Sequence, residues 1–240
     1  MAPAPFRIVF ALFPGMTQLD FTGPHQFLSR LPDSETIIAS PQGGDVPSEG
    51  LVFAGTRPLN TIDRCDLLCV PGGAAATEMA LDRAFIGEIA RLASDARYLT
   101  SVCTGSLILG AAGLLTGRRA ACHWAYRHLL PVFGAVADSA RVVRDGPVIT
   151  GGGVTAGIDF ALTVLAEIAG EDCAQSIQLA LEYAPAPPFD AGQPDSAPAA
   201  LVARYREAHA ALIARREAEA CEAARTMPAR ALSTVQGRAE

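Results

Sequence analysis

Short, continuously apolar runs, each giving way to a loop and then to helical spacing, most restrict what this chain can fold into. Residues 6–13 form one such run; a polar loop follows, and residues 24–31 have helical character. Residues 66–70 form a second run that ends at Pro71-Gly72-Gly73, after which 85–96 places Phe85, Ile86, Ile89, Leu92 and Ala93 at helical spacing. A third starts at Tyr98 and runs into Cys103 and a set of small residues that open a helix. Residues 119–123, 140–143 and 148–150 read as further strands, the last meeting Gly151-Gly152-Gly153 before an apolar helix at 158–169. Residues 35–40 and 51–54 read as short strands separated by a Gly/Pro-rich turn at 41–47. Strands apolar along their whole length are buried on both faces. The alternation therefore predicts an α/β fold with a mostly parallel central sheet flanked by helices on both faces.

Open sheets of this kind bind ligands beyond the carboxyl ends of their strands. Four loops qualify: 14–24, 71–76, the turn at Cys103, and 151–157. The third carries the most specific signal. A strand that turns sharply into a helix lifts the side chain at the turn above the sheet, and Gly105 two residues on leaves room for a substrate. Cys103 is the candidate nucleophile of this elbow, and its place at a helix start is expected to favour the thiolate. Cys65, Cys69, Cys122, Cys173 and Cys221 read as packing residues; their scattered spacing, without companion histidines, predicts no metal site. The glycines at 72–73 and 151–153 leave backbone N–H groups accessible for an oxyanion hole, although Gly151-Gly152-Gly153 has neither the lysine of a phosphate loop nor the spacing of a dinucleotide fingerprint.

A nucleophilic thiol needs a proton-transfer partner. Of the histidines at 25, 123, 128 and 209, His25 and His123 lie near strand ends or loops from which the elbow is reachable. Asp20, after the first strand, is the better candidate, but an aspartate before a helix is equally a helix cap, and the spacing does not choose between the two.

At 240 residues, half of them hydrophobic, the chain can bury a sizeable core. A net charge of -6 opposes a nucleic-acid surface, which needs clustered basic residues. No uninterrupted apolar stretch reaches membrane-spanning length, residues 1–7 lack the pattern of an export signal, and cytoplasmic residence is expected. Prolines keep residues 185–198 extended. Residues 199–240 then read as a helix and tail, with Leu201, Tyr205, Leu212 and Ile213 on one face and Arg204, Arg206, Glu207, Arg215, Arg216, Glu217 and Glu219 on the solvated remainder. The helix is either a tail lying on its own domain or a subunit contact. Disorder is expected beyond about residue 227.

The segments Leu19-Asp20-Phe21-Thr22-Gly23-Pro24, Val70-Pro71-Gly72-Gly73, Ser101-Val102-Cys103-Thr104-Gly105-Ser106, His123-Trp124-Ala125-Tyr126 and Thr150-Gly151-Gly152-Gly153-Val154-Thr155-Ala156-Gly157-Ile158-Asp159 together resemble the ThiJ/PfpI superfamily, related in fold to class I glutamine amidotransferases. The resemblance spans most of the chain. It is strongest to the branch that hydrates isocyanides, and includes the Leu181-Glu182-Tyr183-Ala184-Pro185-Ala186-Pro187-Pro188-Phe189 stretch. Many superfamily members carry glutamate where Asp20 stands, and the protease-like branch has histidine where Thr104 stands; both departures favour the hydratase branch. The resemblance implies a flavodoxin-like catalytic domain over 1–184, commonly dimeric, that converts an isocyanide to an N-substituted formamide without cofactor or metal. It implies attack by Cys103 to give a thioimidate, proton transfer by Asp20 as acid and then base, an orienting hydrogen bond from Thr104, and backbone contacts around Gly73, Gly152 and Val154. Rival readings are a redox-sensing or stress-protective thiol, a glyoxalase-like enzyme, and a ligand-binding module of the kind joined to helix-turn-helix regulators.

Overall fold

The computed structural model describes residues 4–227. In chain order the elements are β1 (Phe6–Ala11), α1 (Gln18–Leu28), β2 (Ser34–Ser40), β3 (Gly44–Ser48), β4 (Leu51–Pro58), β5 (Leu67–Val70), α2 (Ala76–Leu81), α3 (Arg83–Asp95), β6 (Tyr98–Val102), α4 (Gly105–Ala111), β7 (Arg119–Ala120), β8 (Val136–Ala137), β9 (Val142–Asp145), β10 (Val148–Gly151), α5 (Ala156–Ala169), α6 (Glu171–Ala180), α7 (Ala199–Ala208) and α8 (Ala210–Arg225). The expected fold class is confirmed. Eight strands form one sheet in the order β3-β4-β2-β1-β5-β6-β10-β9. The six strands from β4 to β10 in that order pair in parallel, and β3 and β9 close the two edges antiparallel. Ile8, Val9, Phe10 and Ala11 of β1, and Leu67, Leu68, Cys69 and Val70 of β5, are all buried, as strands sandwiched between two helical layers must be.

Several boundaries differ from the sequence expectation, each for a tertiary reason. The turn expected at 41–47 contains β3, whose pairing is entirely with β4 at the sheet edge, where Pro47 withholds no hydrogen bond that an inner neighbour requires. The strand expected at 119–123 shortens to Arg119–Ala120 and pairs with β8 in a separate two-stranded sheet. Helix α1 begins six residues before the expected start at Pro24, with that proline inside it. The ring of Pro24 faces Gly157, where an added Cβ would come within 3.1 Å of it, so the close α1–α5 packing offsets the hydrogen bond that the proline withholds.

The C-terminal segment is two helices, α7 and α8, broken at His209. Helix α8 lies on its own domain: it packs against α2 and α4, and Ala220 and Ala223 join the single hydrophobic core. Arg216, expected on the solvated face, is 5% exposed. Residues 184–198 form neither helix nor strand. The disorder expected after residue 227 concerns positions outside the described residues. Among the described residues no helix is long and apolar enough to cross a membrane.

Candidate active site

Strands β1, β5, β6 and β10 are consecutive in the sheet and parallel, so the four loops that follow them leave its carboxyl edge side by side. Residues 12–17, 71–75, 103–104 and 152–155 thus converge although 140 positions separate the first from the last. Thr17 donates its N–H to the Gly72 carbonyl at 2.9 Å, and Met16 bridges to Gly73, stitching the first loop to the second.

Cys103 occupies the turn expected of it. Its φ is +60°, a left-handed conformation that a non-glycine residue adopts at a cost of about 1–2 kcal/mol. Its N–H is shared by the carbonyls of Gly151 (3.0 Å) and Gly152 (2.8 Å), which hold the strained residue in place. Close packing at Gly105 completes the elbow: a Cβ there would collide with the Val70 carbonyl and lie 2.8 Å from the Pro71 oxygen. Gly105→Ala is therefore expected to destabilise the fold by about 3 kcal/mol or more, read from urea unfolding. A loss below about 1 kcal/mol would mean that the elbow relaxes freely.

Asp20 is fully buried at the third position of α1. Its carboxylate caps nothing: Oδ2 accepts the N–H of Gly72 at 3.0 Å, across from another strand, whereas the N-cap position belongs to Thr17. The other oxygen, Oδ1, has no conventional hydrogen-bond partner, and the Cys103 thiol lies close enough to interact with the carboxyl as a hydrogen-bond partner. Geometry thus separates the two readings that the spacing of Asp20 left open. Burial raises its pKa to about 7, against the opposing effects of the thiol and the Gly72 N–H; the charge of Glu49 adds to the rise.

The thiol itself differs from expectation. Burial, and next the charge of Asp20 and of Cys122, hold the Cys103 pKa well above the ordinary thiol value, although the N–H groups of Thr104 and Val154 reach the sulfur and act in the other direction. Desolvation outweighs the helix start, so the resting sulfur is a protonated thiol facing a carboxyl poised near neutrality.

Thr104 is buried with its hydroxyl on Gly73: Oγ1 accepts the Gly73 N–H at 2.9 Å and donates to the Gly73 carbonyl at 3.3 Å. Gly72 sits between the two site oxygens, and an added Cβ would lie 2.6 Å from Thr104 Oγ1 and 2.9 Å from Asp20 Oδ2. Of the backbone groups expected to face the chemistry, Val154 does so through its N–H. The Gly73 N–H is taken by Thr104, and that of Gly152 is taken by the Arg141 carbonyl at 2.9 Å.

Neither candidate histidine pairs with the thiol. His25 packs against the rings of Phe10 and Phe21, and burial lowers its pKa. His123 stacks on Trp124 and accepts the Ala125 N–H; burial, with Arg216 second, lowers its pKa to about 4, so it is neutral at physiological pH. Burial also pushes the thiols of Cys65, Cys69 and Cys122 up to about 12, as befits packing residues. Beside the elbow, Cys122, His123, Trp124, Gly153 and Val154, with residues 190 and 192–196, line a cavity of about 410 Å³.

The residue that the sequence reading missed is Arg216. From α8 it donates through Nη2 to the carbonyls of Gly73 (3.0 Å) and Ala74 (2.9 Å), the loop that holds Asp20 and Thr104. No local signal marks it, since charged neighbours at helical spacing read as a solvated face.

Comparison with known proteins agrees with this architecture. The sequence model of the DJ-1/PfpI family matches residues 6–167. Over 204 residues, 84% of this chain and 89% of the relative, the sequence is 51% identical to a Pseudomonas putida protein named isonitrile hydratase. A crystal structure of a ThiJ/PfpI family protein from Pseudomonas syringae superposes with a TM-score of 0.87 at 40% identity, covering 90% of both chains. Drosophila melanogaster DJ-1beta shares the fold, with a TM-score of 0.67 at 21% identity over 75% of this chain and all of that one. The elbow cysteine, the four loops around it and the sequence match together place the chain in the DJ-1/PfpI family.

Proposed function

We propose that the protein hydrates isocyanides, R–NC, to N-substituted formamides, with Cys103 as nucleophile and Asp20 as the group that moves protons. The observation that carries the reading is the buried pair itself: the thiol at the elbow facing the Asp20 carboxyl, which the Gly72 N–H holds in place and whose pKa burial raises to about 7. An isocyanide carbon must accept a nucleophile and a proton at the same atom, and this pair supplies both. Asp20 as carboxylate takes the thiol proton while sulfur bonds to the isocyanide carbon, and then returns that proton to the same carbon, giving the thioimidate R–N=CH–S. Asp20, again a carboxylate, takes a proton from water as the water oxygen attacks the thioimidate carbon. Asp20 gives that proton to the nitrogen, and as the C–S bond breaks the hydroxyl proton of the adduct passes by way of Asp20 to the departing sulfur, so R–NH–CHO leaves with the thiol and the carboxylate restored. The sum is isocyanide plus water to formamide. A pKa near working pH suits a group that must both accept and donate. The name of the 51% identical relative points the same way.

The N–H groups of Thr104 and Val154 orient the sulfur, and the neighbouring cavity offers space for the R group. A glyoxalase-like reading is opposed by the engagement of His25 with the rings of Phe10 and Phe21, and of His123 with Trp124 and the Ala125 N–H. The direct test incubates the purified protein with an alkyl and an aryl isocyanide and follows formamide by mass spectrometry; absence of formamide from both, with the fold intact, overturns the reading. Thr104→Val is expected to lower kcat about tenfold, the effect of one buried N–H group, that of Gly73, losing its acceptor. Thr104→Ser should recover most of that loss, and equal rates in all three proteins would leave the hydroxyl without a part in the reaction.

A further inference from the structure

We propose that Arg216 is a positioning residue for the thiol–carboxyl pair, holding from α8 the glycine loop on which Asp20 and Thr104 are hung. The inference rests on the function proposed above for the chemistry it affects, and on geometry for the contact itself.

Three observations carry it. First, the guanidinium is where a packing residue would be less costly. Arg216 is 5% exposed, lies 4.2 Å from the centroid of the Tyr126 ring, takes part in none of the ion pairs found among the described residues, and leaves its Nε–H without an acceptor. Burying a cation without a carboxylate partner is costly, and a methionine or leucine of similar reach would dock the helix without that cost. What the cation gains is a pair of carbonyl acceptors, on Gly73 and Ala74.

Second, those carbonyls belong to the part of the site with least intrinsic stiffness. Gly73 has φ +153°, and a side chain there would collide with the backbone of Met16 and Thr17, so the position requires glycine and gains no rigidity from a Cβ. The N–H of Gly72 holds Asp20 and that of Gly73 holds Thr104. Thr17 fixes the Gly72 carbonyl on one side. Arg216 fixes the next two carbonyls and so sets the direction of the peptide planes between them.

Third, the contact bears on the Thr104 hydroxyl. Its own donation to the Gly73 carbonyl is long, 3.3 Å, while Arg216 donates to the same oxygen at 3.0 Å. Arg216 and the hydroxyl share that oxygen, so the weaker donor, the hydroxyl, can turn toward reacting atoms while the carbonyl stays satisfied. Helix α8 lies outside residues 6–167, the stretch that the family model matches.

The test compares wild type with Arg216→Met, Arg216→Lys and the control Arg215→Met, whose parent arginine is surface-exposed and pairs with Glu219. Arg216→Met is expected to lower kcat for isocyanide hydration about 100-fold, the penalty of a displacement of order 1 Å at reacting groups, with KM changed less than about threefold. Arg216→Lys, which keeps the charge and one donor, should recover about tenfold of that loss. A second readout needs no isocyanide: the protonated Asp20 carboxyl band, obtained by infrared difference against Asp20→Asn, is titrated with pH. Cys103, Glu49, Cys69 and Cys122 are the ionisable groups on other elements whose charge couples to Asp20, and all four are retained in every variant. Loosening the loop removes the Gly72 N–H that favours the carboxylate, so the midpoint should rise by about one pH unit in Arg216→Met and stay at the wild-type value in Arg215→Met. A merely structural arginine would lower the melting temperature and leave that midpoint and kcat unmoved, which overturns the proposal. If Arg216→Met does not fold, the Lys variant decides by the same two measurements. If wild type forms no formamide, the carboxyl titration alone decides the positioning role, while the hydration reading fails separately.

Discussion

Cys103→Ala is expected to form no measurable formamide, a loss of at least about 10⁴-fold, because no other group in the site can make and later release the bond to the isocyanide carbon. The remaining cysteines do not substitute: Cys122 is the nearby thiol, but burial holds its pKa at about 12 and no carboxyl pairs with it. Cys103→Ser should be equally inactive, since a buried hydroxyl is a far weaker nucleophile and a poorer leaving group than sulfur. Neither change should shift folding stability by more than about 1 kcal/mol, because the backbone hydrogen bonds to Gly151 and Gly152 that hold the turn do not involve the side chain. Formamide production by the alanine variant above about one hundredth of the wild-type rate would remove covalent catalysis from the reaction.

The second large effect combines activity with a stability signature. Asp20→Asn is expected to lower kcat about 10³-fold, within the range carried by a positioned acid–base group. It also changes how the fold responds to pH. The carboxyl has a pKa of about 7 when folded and close to 3.8 when unfolded. Below pH 3.8 it is protonated in both states and contributes nothing. Between those values the unfolded chain has released its proton while the folded one retains it, so rising pH favours unfolding. Above about 7 the difference is complete, on the order of 4 kcal/mol at most. Wild type should therefore lose stability relative to Asp20→Asn as pH rises from 4 to 8, in urea melts at each pH. Parallel stability curves for the two proteins would show that the carboxyl titrates at its ordinary pKa, and would remove the physical basis for its dual role. In activity, the limb of the wild-type pH profile that depends on ionised Asp20 should have its midpoint near 7 and be absent from the residual rate of the variant.

Much of the fold was legible because its strands are buried on both faces. Leu67–Val70 and the strand entering Cys103 consist of apolar or small residues throughout, as burial between two helical layers requires. The elbow was legible for a local reason, since the turn, its small neighbour Gly105 and the nucleophile are consecutive. The boundaries of α1 were not: Pro24 reads as a helix start, and only the contact with Gly157 explains why the helix tolerates it inside. The edge strand β3 was hidden for a related reason, since its pattern of Gly, Pro and Asp marks a turn unless a partner strand is present.

The sequence by itself determined the layered α/β fold, the nucleophile at position 103 and the loops that surround it, because each is written in neighbouring residues. Tertiary structure decided the rest. It turned Asp20 from an equally plausible helix cap into the partner of a thiol 83 positions away, raised that thiol's pKa where the helix start alone would lower it, and drew Arg216 from an apparently solvated helix face to the loop at Gly73. The physical reason is common to all three. Hydration and pairing depend on which distant segments exclude water from a group, and that is settled only when the sheet sets its carboxyl-end loops side by side and α8 closes over them.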